Sequence, residues 1–333
     1  MDCKKKEMLY NNIKGYVIKR KRRYDMGKYR LITRSDFDGL VCAMILKELD
    51  LIQEIKFVHP KDMQDGLIEV SDNDISTNLP YVNGIHLAFD HHESEVIRAG
   101  GKKPNHIILP DAPSAARVVY EYYNGKEKCP RITEEIMLAV DKADSAQFTL
   151  EEILNPKDWV LLSFLMDART GLGRFRDFTI SNYQLMMKLI DFCLEHRIDE
   201  VLALPDVKER VDMYFEQQEL FKAQIQKVHK MYGDVVVLYL KDEDPIYTGN
   251  RFMVYAMYPE ARISIHVMWG FKKQNTAVTI GKSILDRSSD VNIGEICLSY
   301  GGGGHANAGT CQLPNDKVDE ILPEIIEKLK GRD

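Results

Sequence analysis

The sequence lacks the patterns that mark membrane, secreted and disulfide-rich proteins. No apolar run approaches the roughly 20 residues that a membrane-spanning helix requires. The N-terminus has no apolar segment followed by a cleavage signal, so we expect a cytoplasmic protein without a membrane partner. A CxxC pair is also missing, which indicates reduced thiols in place of disulfides or a zinc ribbon. The scattered cysteines are Cys3, Cys42, Cys129, Cys193, Cys297 and Cys311.

The chain also lacks an overall positive charge. Its net charge of −6 argues against general electrostatic attraction to nucleic acid. The first 30 residues are the exception, with eleven Lys or Arg against three acidic residues. Such a basic extension, residues 1–28, can bind an anionic polymer through phosphate contacts, but a solvated terminal segment has the same composition. Both interpretations stay open.

A length of 333 residues suggests two domains. Short, nearly continuous apolar runs recur between Tyr29 and Leu109, as in strands buried on both faces. The first two runs are separated by "DGLVCAMILKELDL", whose apolar spacing is helical. Strand, helix and strand in succession predict an α/β domain over residues 29–195, with a parallel sheet flanked by helices. Ligands bind such sheets beyond the carboxyl ends of the strands.

The second half of the chain predicts a connecting helix and a smaller domain. Apolar residues from Pro205 to Gly233 alternate by three and four, which favours one long helix within a connecting segment, residues 196–233. Strand patterns return in "DVVVLYL", "ARISIHVMW" and "TAVTIGKSI", and a last helix closes the chain. Residues 234–333 are therefore predicted to form a C-terminal α/β domain with a mixed sheet.

Two polar stretches follow predicted strands. Asp36 and Asp38 in "RSDFDG" are two apart, so their carboxylates can point the same way. The apolar run that ends at Phe89 is followed by Asp90-His91-His92. Each stretch alone fits a polar loop as well as a metal site. Together they favour a divalent ion such as Mn²⁺, because carboxylates with imidazole suit it better than structural zinc.

In combination, "SDFDG", "DHH" and "GGGGHANAG" resemble the DHH family of phosphoesterases with its associated C-terminal domain. The family includes RecJ-type exonucleases, nanoRNases, cyclic dinucleotide phosphodiesterases, family II pyrophosphatases and exopolyphosphatase-like proteins. The similarity covers about residues 29–330. Within it, "PSAARVVYEYY" and "DKADSAQF" resemble the family's third and fourth motifs.

The resemblance implies a metal site and a substrate site. The implied metal ligands are Asp36, Asp38, His91 and Asp144, with Asp90 as a further ligand or as support for a histidine, and they would hold one or two Mn²⁺ or other divalent ions. His92 would face the phosphate or its leaving oxygen. The implied substrate-binding residues are Gly301, Gly302, Gly303, Gly304, His305, Asn307, Lys282, Ser283 and Arg287.

Two positions depart from the family pattern. Arg34 stands where relatives have a metal-binding His or Asp, and Asn78 stands where a bridging aspartate is usual. A guanidinium about 4 Å from a divalent ion would be repelled by roughly 8 kcal/mol at an effective dielectric constant of 20. Arg34 therefore either turns into a salt bridge or holds the phosphate as a catalytic group.

These features predict a metal-dependent phosphohydrolase acting on short oligonucleotides, cyclic dinucleotides or another small phosphorylated substrate. The alternative is a regulatory protein of the same fold that is catalytically weakened and binds nucleotide or phosphate. The cluster of arginines in "RTGLGRFR", residues 169–176, is either a channel lining for an anionic substrate or a solvated loop. A homodimer is also left open.

Overall fold

The computed structural model describes residues 28–330. The predicted basic extension, residues 1–28, thus lies outside the described residues except for Lys28. The chain forms two compact units. The N-terminal unit contains the described residues up to Gln147 with Lys157–Ala168 and Phe175–Val211, and the C-terminal unit contains Phe148–Pro156, Arg169–Arg174 and the described residues from Asp212. Within residues 28–330, none of the helices combines the length and the apolar character needed to cross a membrane.

The N-terminal unit is built on a parallel sheet, as predicted. Its five strands lie in the order β2-β1-β3-β4-β5, and every neighbouring pair is parallel. Because parallel strands present their carboxyl ends along one edge, the residues that follow β1, β3 and β4 gather there. The strands are β1 (Tyr29–Thr33), β2 (Ile52–Phe57), β3 (Asp74–Thr77), β4 (Leu87–Asp90) and β5 (His106–Ile108).

Helices connect many of the strands along the chain. The first, α1, is buried over nearly its whole length because apolar residues surround it on all sides. In chain order the helices are α1 (Phe37–Glu48), α2 (Pro60–Gln64), α3 (Glu93–Arg98), α4 (Ala115–Tyr122), α5 (Gly125–Lys128), α6 (Glu134–Asp144), α7 (Leu150–Leu154), α8 (Asp158–Met166), α9 (Asn182–Glu195), α10 (Ile198–Ala203), α11 (Pro205–Glu216), α12 (Gln218–Val228), α13 (Met253–Met257), α14 (Ile293–Ser299) and α15 (Val318–Leu329).

The C-terminal unit contains a six-stranded mixed sheet in the order β10-β11-β9-β8-β7-β6. Only the β7–β8 pair is parallel. Ile263, Ile265 and Val267 of β8 enter a core with α14 and α15, so the residues between them lie on the opposite face. The strands are β6 (His229–Tyr232), β7 (Val235–Tyr239), β8 (Ile263–Trp269), β9 (Thr276–Lys282), β10 (Gly303–His305) and β11 (Ala308–Leu313).

The segment predicted as one helix, Pro205 to Gly233, is divided. It forms α11 and α12, and its last residues form β6, which pairs with Val235–Leu238 of β7. His229 leaves the helix with an extended ψ of 152°. Gly233, with φ of 65°, occupies the turn between β6 and β7. A glycine suits both a helix end and a tight hairpin, and the valine-rich β7 needs an edge partner, so the hairpin forms.

Candidate active site

The carboxyl edge of the parallel sheet brings three acidic or imidazole side chains together. Asp38 lies in the first turn of α1, His91 follows β4, and Asp144 ends α6. One donor atom from each lies within 4.8 Å of the other two. The sequence motifs that contain these residues are far apart in the chain, and the fold places them in one group.

Backbone N–H groups at the start of α4 hold the side chain of Asp38 in place. The N–H groups of Ala115 and Ala116 donate to its Oδ2 and Oδ1 at 3.2 and 2.8 Å. These are among the helix N–H groups that have no partner within the helix, and they favour a negative charge. Burial and the nearby Asp144 nevertheless hold the pKa of Asp38 well above its usual value. The carboxylate is therefore well oriented, but its negative charge is poorly balanced by nearby positive charge, as is typical of a cation ligand.

His91 has a fixed ring orientation. Its Nδ1–H donates to the carbonyl oxygen of Ala112 at 3.1 Å, which directs Nε2 toward Asp144. Nε2 lies 2.9 Å from Asp144 Oδ2 but out of line for a hydrogen bond, so the contact is an ion pair. Burial lowers the pKa of His91, but Asp144, Asp38 and Asp90 outweigh it and raise this pKa to about 10. Burial raises the pKa of Asp144, and His91 brings it below the usual value.

Asp90 is buried and orients His92. Its Oδ1 lies 2.7 Å from His92 Nδ1 and accepts the backbone N–H of His91 at 2.7 Å. Burial raises the pKa of Asp90, while the hydrogen bond from His92 gives a net value below the usual one. The other oxygen, Oδ2, is buried with no hydrogen-bond partner among residues 28–330. Asp90, His91 and His92 form a second group whose donor atoms lie within 4.8 Å.

These donors fit a divalent cation. Two buried atoms, Asp90 Oδ2 and His91 Nε2, lack a hydrogen bond within the described part of the chain, and both are ligand atoms for Mn²⁺. Asp38 and Asp144 supply the carboxylates of the first group. The chemistry of this donor set matches the cation that the sequence predicts.

Asp36 is differently engaged. Its Oδ1 accepts the backbone N–H of Gly39 at 2.9 Å and caps α1, and its Oδ2 lies 3.0 Å from Arg34 Nε. Asp36 belongs to neither carboxylate–histidine group. Asp36 raises the pKa of Arg34, burial lowers it, and Asp144 and Asp38 add to the rise. Arg34 thus forms a salt bridge, which is one of the two arrangements that the sequence predicted for it.

Asn78 follows β3 in the same edge. It has φ of 55°, its side chain is 2% exposed, and neither amide atom has a hydrogen-bond partner among the described residues. The register places it beside β1 and β4, because Thr77 pairs with Thr33 and Phe89. A buried amide without partners is costly. The two amide atoms of Asn78 are therefore polar groups that a ligand at this edge could satisfy.

The glycine-rich segment of the C-terminal unit is only partly open. A Cβ added to Gly302 or Gly304 would lie 2.2 or 2.3 Å from a backbone carbonyl oxygen, so these glycines allow close packing against β11. Gly303 and His305 are exposed, and a Cβ on Gly303 would meet nothing within 4 Å. Gly301 has φ of 75°, in the turn before β10. Within β10, Gly303 is thus a position where a ligand can approach the backbone.

The remaining predicted substrate residues lie near the same strands. Lys282 Nζ donates to the carbonyl of Ser289 at 2.9 Å, and the carbonyl of Asn307 accepts the backbone N–H of Lys282. Ser283 is buried, and its hydroxyl accepts from the N–H groups of Leu285 and Asp286. Arg287 is exposed. Lys282 and Ser283 therefore stabilise their own loop in this structure.

The sequence analysis missed the backbone part of the site. The N–H groups of Ala115 and Ala116 and the carbonyl of Ala112 hold Asp38 and His91 in place. Alanine has no chemical signature, and the signal was only indirect: Ser114 before an apolar run, as at the start of a helix.

Comparison with solved structures shows a relative with high identity. The chain is 58% identical to the pGpG-specific phosphodiesterase PggH from Vibrio cholerae, with 91% of this chain and 99% of that chain covered and a TM-score of 0.76. Comparisons with protein-family models and with curated proteins found no match. At this identity, the chain belongs to the DHH family of phosphoesterases. It is a hydrolase.

More distant structures share the fold. A DHH-domain protein described as a member of a family of ribosomal proteins is 13% identical, with 99% and 93% of the two chains covered and a TM-score of 0.57. RecJ from Thermus thermophilus, in complex with Mn²⁺, is 15% identical, with 98% and 55% covered and a TM-score of 0.51. Both support the predicted architecture of a DHH domain followed by a second α/β unit.

Proposed function

We propose that the protein hydrolyses linear dinucleotides of the pGpG type to mononucleotides, and that it does so with one bound divalent cation such as Mn²⁺. The observation that carries the proposal is the group formed by buried Asp38 and half-buried His91 and Asp144. It occurs in a chain that is 58% identical to a phosphodiesterase of that specificity. Water would add to the bridging phosphate, the leaving ribose oxygen would take a proton, and two mononucleotides would result.

In this proposal Asp38, His91 and Asp144 hold the cation. A divalent ion supplies Lewis-acid chemistry, because it lowers the pKa of a coordinated water and offsets phosphate charge. Asp38 is kept in position by the start of α4, and His91 by the carbonyl of Ala112. The ligands are therefore oriented before substrate binds, which reduces the reorganisation needed for catalysis.

We assign proton transfer to His92 and phosphate binding to Arg34. Asp90 accepts the Nδ1–H of His92, which fixes the orientation of the ring, and we assign to Nε2 the exchange of a proton with the leaving oxygen. Arg34 uses Nε for Asp36, and a guanidinium has further N–H donors in the same plane for a phosphate oxygen. Asp36 was expected to be a metal ligand, but its ion pair with Arg34 occupies its carboxylate. We therefore propose one bound cation and not two.

The test is hydrolysis of pGpG by purified protein with Mn²⁺ and with a chelator, alongside a cyclic dinucleotide, a longer oligonucleotide and polyphosphate. We expect mononucleotide from pGpG only when the cation is present. His91→Ala should lose both the cation and the activity. Asp72→Asn is the matched control, because Asp72 is an exposed carboxylate outside the site.

Bound metal is measured separately by elemental analysis. Hydrolysis that persists in the chelator, or that His91→Ala leaves unchanged, would contradict the proposal. Nucleotide binding without bound cation or turnover would instead favour the regulatory protein considered from the sequence.

A further inference from the structure

A group of basic side chains lies on the face of the C-terminal sheet that is opposite its hydrophobic core. His266 lies between Ile265 and Val267 of β8, and it is on the face opposite the core because those two residues are buried within it. Helix α13 packs on the same face, since the hydroxyl of Tyr255 donates to the carbonyl of Gly281 at 2.7 Å and lies 2.8 Å from Ser264 Oγ. Arg251 lies two residues before this helix.

The loop Arg169–Arg174 adds a second guanidinium. The N–H of Gly249 donates to the carbonyl of Thr170 at 3.1 Å, which attaches this loop to the segment that contains Arg251. The guanidinium of Arg174 lies against Gly171, where an added Cβ would be 1.8 Å from Nη1. Gly171 has φ of 92°. The positive φ favours glycine at this position, and the missing side chain leaves the space that Arg174 fills.

The electrostatics of the group favour a bound anion. Burial lowers the pKa of His266, and Arg251 and Arg174 lower it further, to about 4, so the ring is neutral at pH 7. Burial lowers the pKa of Arg174 also, and no carboxylate among the described residues raises it. Arg174 nevertheless keeps an exposed surface, and Arg251 and His266 are half-buried. Basic groups brought together repel each other, and an anion bound between them would reduce that repulsion.

The sheet register connects this group with the glycine-rich segment. His266 pairs with Thr279, Thr279 with Thr310, and Thr310 with Gly303. The row crosses three strand spacings, or roughly 14 Å at about 4.8 Å each. Small or hydroxyl-bearing side chains line it, so a ligand that lies along the row can reach Gly303 at one end and the basic group at the other.

We infer that Arg174, Arg251 and His266 form a subsite for the terminal phosphate of a linear dinucleotide whose other part lies toward Gly303. The inference rests on the proposed function, because it adds to it the group by which the substrate is recognised. A terminal phosphate carries more negative charge than a bridging diester, and two guanidinium groups match its oxygens. The subsite therefore selects linear, phosphorylated dinucleotides over cyclic ones, which have no terminal phosphate.

The experiment is a thermodynamic cycle between protein and ligand. Binding of pGpG and of GpG, which lacks the terminal phosphate, is measured by calorimetry with chelator present, for the wild type and for Arg174→Ala. The wild type should prefer pGpG by about 10- to 100-fold, the effect of a hydrogen-bonded charge. Arg174→Ala should lose most of this preference and bind GpG as the wild type does.

The variants Arg251→Ala and Arg174→Lys extend the cycle. Arg251→Ala should act like Arg174→Ala, and Arg174→Lys should restore part of the preference because the charge remains. Arg197→Ala, which removes an arginine that is 83% exposed in the N-terminal unit, is the control and should change neither affinity. Thermal melting of each variant checks that it is folded.

The outcomes separate this inference from the proposed function. Equal losses for pGpG and GpG, or no loss for either, overturn the phosphate subsite. So does a wild type that does not distinguish the two ligands. Binding is measured without cation and without turnover. If Arg174→Ala loses the preference for pGpG as expected but the wild type hydrolyses nothing, only the proposed catalysis is overturned.

Discussion

The two units differ in how they present chemical groups. The carboxyl edge of the N-terminal sheet collects buried or half-buried carboxylates and imidazoles, and backbone groups of neighbouring segments hold Asp38 and His91. The C-terminal sheet carries glycine backbone, hydroxyls and basic side chains on the face opposite its core. The proposed function assigns a cation to the first arrangement and an anionic ligand to the second. On that proposal, binding and bond cleavage can be altered separately, which the following substitutions test.

Asp38→Asn should have the largest effect on activity and almost none on folding. The amide keeps an oxygen for the N–H of Ala116 and loses the weaker acceptor for that of Ala115, but it removes a charged ligand, so kcat/KM should fall by at least about 10³-fold. Loss of a buried, crowded carboxylate should leave the melting temperature equal or higher. Kinetics and melting curves of the variant check both points. A destabilised protein with normal activity would show that Asp38 serves structure.

Asn78→Asp should convert a neutral position into a cation ligand. Without cation, a buried and unpaired carboxylate should cost several kcal/mol of unfolding free energy. Added Mn²⁺ should recover this loss and raise the bound metal from one toward two per chain, as measured by melting and elemental analysis. Asn73→Asp, on an exposed residue just before β3, is the control. Unchanged metal content would mean that Asn78 does not face the cation.

His266 should make the C-terminal unit sensitive to acid. Its pKa falls from 6.5 to about 4 on folding, so the unfolded chain binds the proton more readily. The stabilisation is complete above pH 6.5 and is lost as the pH falls toward 4, by on the order of 3 kcal/mol. His266→Gln does not titrate and should remove this dependence from the unfolding free energy measured across that range. Parallel pH profiles for the two proteins would refute the assignment.

Substitutions of the adjacent glycines Gly303 and Gly304 should distinguish an effect on ligand binding from an effect on packing. Gly303→Ala adds a methyl group that meets no atom within 4 Å, so it should raise KM by about tenfold and leave the melting temperature unchanged. Gly304→Ala has φ of 154° and places Cβ 2.3 Å from the carbonyl of Ala308, so it should destabilise the protein by roughly 1–3 kcal/mol. Titration of substrate and thermal melting distinguish the two. Equal behaviour would mean that Gly303 is also structural.

The sequence predicted the sheets and the main cluster because their signals are carried by side chains. Continuous apolar runs predicted the parallel strands, and the motif residues Asp38, His91 and Asp144 do meet. The place of Asp36 could not be read in the same way, since an N-cap, an ion pair and a metal ligand all use the same carboxylate. Likewise, glycine letters do not reveal that Gly302 packs against β11 while Gly303 stays open.

The contacts of Asp38 with the start of α4 have a consequence for measurement. The two amide hydrogens of Ala115 and Ala116 report directly on the charge of this carboxylate. A cation bound to the same carboxylate would restrict local opening at the start of α4, and hydrogen–deuterium exchange at these two amides would then slow. Occupancy of the site could thus be followed in solution from two backbone protons, without a label and without substrate.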